Sequence, residues 1–324
     1  MRRRPLIRLA AVSVLFTAAA CGSSDGGDSS DGGTSSGGVR TVKVGLIPIV
    51  DVAPLYLGQK QGFFEKQGLK LEFTTAQGGA AIVPGVASGQ FQFGFSNVTS
   101  LMVAQTNGVP VEAVANGIAS TGIAGKDFSA LMVKKDSAIK SPKELEGKKV
   151  AINTLKNINE TAVRASVSKA GGDPDKVRFV ELGFEQMPAA LDSGEIDAAQ
   201  VVEPAQAAVK SGGGRVIASP LVDVAPKLTV AMYFTSTRYA KQNPEVVKKF
   251  QDATAESLAY ADSHPDEARR IVTTYTTIPA NVLARVTLPR WPAEANRSSI
   301  VDLMKLGYED GLFKSPPDVE KLLP

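Results

Sequence analysis

The stretch 88–100, SGQFQFGFSNVTS, is restated further down the chain as 193–204, SGEIDAAQVVEP. Ser88 and Gly89 align with Ser193 and Gly194. The register continues with Gln90 on Glu195, Phe91 on Ile196, Gln92 on Asp197 and Gly94 on Ala199. Each copy reads as a helix end, a tight turn at glycine, a short apolar strand and a polar tip that opens a new helix. The flanks repeat in the same order. The apolar run 42–47 (VKVGLI) precedes the first copy and 149–153 (KVAIN) the second, while 69–73 (LKLEF) is echoed by 177–181 (VRFVE). A duplication of this kind implies two similar α/β lobes with a ligand between them.

Length and composition set the bounds. A chain of 324 residues with 43% apolar content has ample material for a core. Arg2, Arg3, Arg4 and Arg8 lie in the leader and Asp25, Asp28 and Asp31 in the following spacer, so the body stays near neutral and no nucleic-acid partner is expected. With Cys21 as the single cysteine and His264 as the single histidine, internal disulfides, zinc sites, Cys-His dyads and Ser-His-Asp triads are excluded. No metal and no cofactor is expected.

Residues 1–20 have a basic start, an apolar run (9–20) and small residues before Cys21, the layout of an export signal rather than a spanning helix. TAAAC (17–21) resembles the bacterial lipobox, in which the cysteine becomes the diacylated first residue. It departs from that pattern at Ala18, where leucine is usual, and RRPLIR (3–8) leaves twin-arginine export open beside the general route. Residues 22–38 are nearly all Gly, Ser and Asp, so 21–39 is expected to be a flexible tether from a lipid anchor.

Along the body, a strand at 42–47 leads through Asp51 and Pro54 into a helix with Tyr56, Leu57, Phe63 and Phe64 inward. A strand at 69–74 is followed by Gly78-Gly79 opening a helix, where bare backbone permits close approach to a ligand. Strands are expected at 91–95 and 109–114, the second ending at Asn116-Gly117. Residues 129–133 (SALMV) and 228–234 (LTVAMYF) read as crossovers between the lobes. The second lobe repeats the plan with strands at 150–153, 177–181 and 196–201. Gly212-Gly213-Gly214 follows a helix and lacks the Lys and Ser/Thr of a phosphate loop, so it reads as a turn. The remainder, 243–323, is helical and expected to pack on lobe one. The division expected is 40–132 with 235–324 for lobe one and 133–234 for lobe two, α/β throughout.

In an open parallel sheet the ligand site lies beyond the carboxyl ends of the strands, among free helix amino termini. The residues there are Asp51, Gly78, Gly79, Ser96, Asn97, Asn116 and Gly117 in lobe one and Thr154, Asn157, Asn159, Glu160, Glu181 and Glu203 in lobe two. They are donors, small residues and carboxylates, an inventory for binding. Ser96-Asn97 reads equally as helix caps, and Asp51, Asn159 and Glu160 as complements to helix dipoles. Glu203, before Pro204, is either solvated or aimed into the cleft. Trp291 reads as a packed body rather than a recognition element, and His264 as a surface residue.

From residue 42 to about residue 323 the chain resembles the solute-binding lipoproteins of ABC importers, in the group that takes nitrate, sulfonates, taurine and thiamine-pyrimidine precursors. The resemblance is carried by VGLIP (44–48), PLYLGQKQGFFEKQGLKLE (54–72), Gly78-Gly79, SGQFQFGFSN (88–97), SPKELEGKKVAIN (141–153), LDSGEIDAAQVVEP (191–204) and GLFKSPPDVEKLL (311–323). It implies a two-lobed, type II periplasmic-binding-protein-like fold that closes over a small solute and delivers it to a membrane permease. It selects Asp51, Gly79, Ser96, Asn97, Thr154, Asn157 and Glu203 as contacts. Hinge bending is expected at 131–134 and 232–236, and no sequence feature calls for self-association, so a monomer is expected. Asp51, Glu160, Glu181 and Glu203 near one mouth favour a solute with an amine or ring nitrogen over a bare anion. The alternatives are a pyrimidine-precursor or menaquinone-pathway enzyme on the same fold, against which the export signal counts, and a membrane-anchored sensor.

Overall fold

The computed structural model describes residues 39–323. The signal peptide expected at 1–20, the lipidation expected at Cys21 and all of the expected tether except Val39 lie outside the described residues.

The first lobe is assembled from β1 (Arg40–Leu46), α1 (Ala53–Lys60), α2 (Phe63–Lys66), β2 (Leu69–Thr75), α3 (Gly79–Ser88), β3 (Phe93–Asn97), α4 (Val98–Thr106) and β4 (Val111–Ala119). The chain then crosses and builds β5 (Ser129–Val133), β6 (Lys149–Ile152), α5 (Ile158–Lys169), β7 (Arg178–Glu181), α6 (Met187–Ser193), β8 (Ala198–Val202), α7 (Ala205–Ser211), β9 (Arg215–Ala218) and α8 (Pro220–Val224). It returns as β10 (Thr229–Ser236) and ends in α9 (Thr237–Gln242), α10 (Pro244–Ser263), α11 (Pro265–Ile271), α12 (Ala280–Leu283), α13 (Arg297–Glu309) and α14 (Val319–Leu322).

The two sheets run β2-β1-β3-β10-β4 and β7-β6-β8-β5-β9, so the second repeats the first strand for strand. In each, the first-named three strands are parallel. The fourth is antiparallel to both neighbours, because it arrives from the other lobe. The repeat read from the sequence holds in detail. Gly89 and Gly194 both cap their helices in the left-handed region, at φ 86° and 77°, and β3 and β8 begin at corresponding positions after them. Only glycine adopts that conformation without crowding its own side chain.

Four expectations need correction. The strand expected at 91–95 begins at Phe93, because the turn also consumes Phe91, whose N–H donates back to the Gly85 carbonyl (3.1 Å). The strand expected to stop at Asn116-Gly117 runs through both to Ala119. Gly117 is what allows this: a Cβ there would lie 2.6 Å from the Ala231 carbonyl oxygen, where β10 shifts register. The lobe boundaries expected at 132/133 and 234/235 cut through β5 and β10, and the hinges expected at 131–134 and 232–236 fall largely on strands buried along their whole length. The crossings come earlier, at residues 120–128 and 225–228. Finally, the sheets are mixed rather than parallel throughout.

Packing follows from the strands' composition. Gly45 and Gly94 leave room for Ile82 of α3, whose Cγ2 would lie 2.7 Å from a Cβ at either position. On the other face, Phe250 of α10 stacks on Phe93 with centroids 3.8 Å apart and touches Phe64 and Tyr233. Burying each such ring contributes roughly 2–3 kcal/mol. The C-terminal helices pack on lobe one through α10 and α11 against α1. They do not stop there, as expected, since α13 also leans on α5 and α8, and Arg164 Nε reaches Asp310 Oδ1 at 2.8 Å.

Candidate functional site

The strand ends of the two sheets face one another and touch. Gln77 Nε2 donates to the Asn153 carbonyl (2.7 Å), Asn153 Nδ2 donates to the Gln77 carbonyl (3.3 Å), and Val50 N–H donates to the Glu203 carbonyl (3.1 Å). Beside these contacts lies a cleft of about 630 Å³. Its lobe-one wall is Ile47, Pro48, Ile49 and residues 75–77, and its lobe-two wall is residues 183–186, Pro188, Pro204, Ala205 and Ala208. Residues 275–279 close one side. No helix among the described residues is long and apolar enough to cross a membrane, and no group of described side chains could hold a metal ion.

The predicted residues separate into three groups. The first is the lobe-to-lobe contact. Gly78 caps α3 and is held so close to lobe two that a Cβ would lie 2.8 Å from Thr154 Cγ2. Next to it, and within lobe one, Gly79 packs still more tightly on Ser96, whose Oγ would lie 2.1 Å from its Cβ. Asn97 caps α4 by accepting from Ser100 N–H (2.8 Å). Across the gap, Asn157 Oδ1 accepts from Asn159 N–H (3.0 Å) and Glu160 N–H (3.3 Å). Asn157 Nδ2 donates to Asn153 Oδ1 (2.7 Å) and Thr154 Oγ1 (2.9 Å), and Asn159 Nδ2 donates to the same Asn153 oxygen (2.7 Å). A buried, interlinked amide network of this kind is rigid.

The second group is buried at the junction. Glu203 is fully buried; Oε1 accepts from Gln206 Nε2 (2.9 Å) and Thr287 N–H (3.1 Å), and Oε2 accepts from Ala207 N–H (2.9 Å). Burial outweighs these donors and pushes the carboxyl up to about 7. Asp51 is 3% exposed, Oδ1 has no partner, and burial pushes its carboxyl up to about 8 with the negative field of Asp127 adding to it. The Trp291 indole donates to the Asp51 carbonyl (3.1 Å), so that tryptophan is a buried body with its N–H satisfied. Burial pushes the Tyr233 and Tyr275 hydroxyls well above the usual tyrosine value, with Asp51 adding to it, and Tyr275, stacked on Tyr56 at 4.0 Å, donates to the Ile49 carbonyl (3.1 Å).

The third group lies away from the lobe-to-lobe contact and the buried junction. Asn116, in the middle of β4, donates to the carbonyls of Pro292 (2.7 Å) and Glu294 (3.3 Å) and so holds the tail. Glu181 Oε1 accepts from Leu155 N–H (2.6 Å) and Glu160 Oε2 from Lys156 N–H (2.7 Å), so both carboxylates brace the loop at 154–156. None of the predicted residues is among those that line the cleft, so the sequence argument that counted Asp51, Glu160, Glu181 and Glu203 at its mouth finds no support in the cleft walls. The sequence reading missed the cleft walls themselves and the roof at 275–279. Acid before proline at a helix start was the available signal for Glu203; nothing local marks the roof.

Two lobes with exchanged strands and facing strand ends form a periplasmic-binding-protein-like fold. The pattern of the family described as NMT1/THI5 like matches residues 49–268, and the chain belongs to that family. It is 29% identical over 216 residues to the taurine-binding periplasmic protein of Escherichia coli, covering 66% of this chain and 64% of that protein. It is 24% identical over 223 residues to the formylaminopyrimidine-binding protein of Halalkalibacterium halodurans, covering 68% and 65%. The chain thus spans less than two thirds of each of these relatives. Among solved structures, the alkanesulfonate-binding protein SsuA of Xanthomonas axonopodis pv. citri bound to MOPS has the same fold. The TM-score is 0.73 at 17% identity, over 89% of this chain and 99% of that one.

Proposed function

We propose that the protein is the extracytoplasmic solute-binding component of an ABC importer, and not an enzyme. It captures a small organic nitrogen or sulfonate compound between its lobes and delivers it to a permease. The observation that carries the reading is the pair of reciprocal hydrogen bonds between Gln77 and Asn153 beside a cleft of about 630 Å³. Such a volume suits a small organic ligand, and a lobe-to-lobe latch is what a closing clamp requires. The relatives named for taurine and formylaminopyrimidine support it.

Closure bends the crossings at 120–128 and 225–228. The first carries Gly122 and Gly125 at φ 75° and 74° and is tied by Asp127, which accepts from Ser120 Oγ (2.8 Å) and Thr121 N–H (2.8 Å). Attachment to the membrane runs through a lipidated Cys21, which mass spectrometry of the mature amino terminus tests. Calorimetric titration with taurine, alkanesulfonates, aminopyrimidines and nitrate tests the function. Saturable binding of one of them at one site supports it; a cleft that binds none of these or any other small molecule overturns it.

A further inference from the structure

We infer that the ion pair between Arg164 and Asp310 is a clasp between the lobes, placed outside the cleft, and that these two side chains set the balance between open and closed protein on which solute affinity depends. The inference rests on the reading of the protein as a closing clamp and adds two positioning residues to it.

Asp310 belongs to lobe one although it comes late in the chain. The segment leading into α13 is fastened to that lobe: Arg290 and Ala119 exchange backbone hydrogen bonds (2.9 and 3.0 Å), Asn296 N–H donates to Thr229 Oγ1 (2.8 Å), and Thr229 N–H donates to Ser299 Oγ (3.1 Å). α13 then packs on α4 and β10, and α14 behind it packs on α4 and β4. Arg164 lies in the middle of α5, in lobe two, where it also pairs with Asp175 and donates to the Pro174 carbonyl (3.4 Å). Arg164 Nε to Asp310 Oδ1, at 2.8 Å, is the one ion pair among the described residues that joins the two lobes. Each of its side chains is only 17% exposed, and a pair so covered is screened less than one on the open surface.

The pair sits where bending is felt. Asn296 Nδ2 donates to the Lys227 carbonyl (3.2 Å), so α13 starts beside the second crossing, and Asp310 caps its far end. Thirteen residues at a rise of about 1.5 Å each make an arm of about 20 Å. A lobe rotation of about 15° across that arm displaces its end by roughly 5 Å, beyond the reach of an ion pair. Here the pair is made in the same structure as the Gln77–Asn153 hydrogen bonds, so it belongs to the closed arrangement. The electrostatics favour keeping it. Burial pushes the Asp310 carboxyl up, Arg164 holds it back, and the other charges acting on it are the acids Asp175 and Glu309. When the lobes part, Arg164 keeps Asp175 and the Pro174 carbonyl, whereas Asp310 is left facing like charge.

The test reads the separation of the lobes with no solute present. Spin labels are placed at Lys70→Cys in lobe one and Glu195→Cys in lobe two, both exposed positions, in the full chain carrying Cys21→Ser so that these are its only thiols. Asp310→Ala should lower the ratio of short to long separations about 5-fold or more, the range of coupling between linked sites, and Asp310→Glu should restore part of it. Lys169→Ala, which breaks the ion pair to Asp223 inside lobe two, should leave the ratio unchanged. A wild-type distribution in Asp310→Ala, with or without a lower melting point, overturns the inference, and so does an equal change in Lys169→Ala. Either result leaves the solute-binding reading to its own titration.

Discussion

Alanine at Gly78 should hold the lobes apart without harming either of them. Gly78 has an extended backbone, φ −169° and ψ 169°, which alanine adopts freely, so the substitution adds no backbone strain. Its Cβ would lie 2.8 Å from Thr154 Cγ2 and 2.9 Å from Asn153 Nδ2, both in the opposite lobe. Comfortable contact between such carbons begins at about 3.5 Å, so the faces must part by roughly 0.7 Å or more. That movement takes the Gln77–Asn153 hydrogen bonds, now 2.7 and 3.3 Å, toward or beyond useful range. Two bonds worth about 1 kcal/mol each make closure about 2 kcal/mol less favourable. Solute affinity should therefore fall about 30-fold. Calorimetric titration reads the affinity, small-angle scattering reads the compaction of the loaded protein, and the melting point of the empty protein should hardly move. Thr154→Ala in the same chain removes the nearer clash and should restore part of the loss, as a double-mutant cycle would show. Gly78→Ala with unchanged affinity and unchanged compaction would refute the reasoning.

Gly79→Ala should act differently, because its Cβ would lie 2.1 Å from Ser96 Oγ and 2.9 Å from Ser96 Cα within one lobe. It should destabilise the empty protein by about 1–3 kcal/mol in urea denaturation, and a wild-type midpoint would contradict this. Phe250→Ala removes a fully buried ring from the stack with Phe93 and should cost about 3–5 kcal/mol; a cost under about 1 kcal/mol would show that the stack carries little. Stability should fall as pH rises from about 5 to about 8. Asp51 and Glu203, raised to about 8 and about 7, keep their protons in the folded protein while the unfolded chain loses them near pH 4. Each contributes stability that is fully present below the unfolded value, is lost as pH climbs through the folded one, and changes by up to about 1.4 kcal/mol per pH unit between. Asp51→Asn should flatten that slope, and a wild-type protein more stable at about pH 8 than at about pH 5.5 would contradict the assignment.

The duplication was legible because its signals are local. A glycine that ends a helix in the left-handed region and an apolar run after it sit within ten residues, and Gly89 and Gly194 are such glycines. The exchange of β5 and β10 was not legible, since SALMV and LTVAMYF have the composition of any central strand and nothing in them says which sheet they join. Asn97 could be read as a cap, whereas Asn157, which also caps its helix, was expected only as a ligand contact. What the sequence could not show is how thoroughly side chains fill the helix starts. The expectation of free donors at the tips gives way to Asn97, Asn157 and Glu203 occupying them. The roof at 275–279 is placed against residues far away in the chain, and no local pattern marks such contacts.

A crystal structure of the solute-loaded protein tests the two-lobed capture mechanism most directly. The solute should lie between the Ile49 and Tyr275 wall and the Phe184 and Pro204 wall, with the Gln77–Asn153 hydrogen bonds intact above it. A solute found outside that cleft, or held with the two lobes apart and those bonds broken, would contradict it.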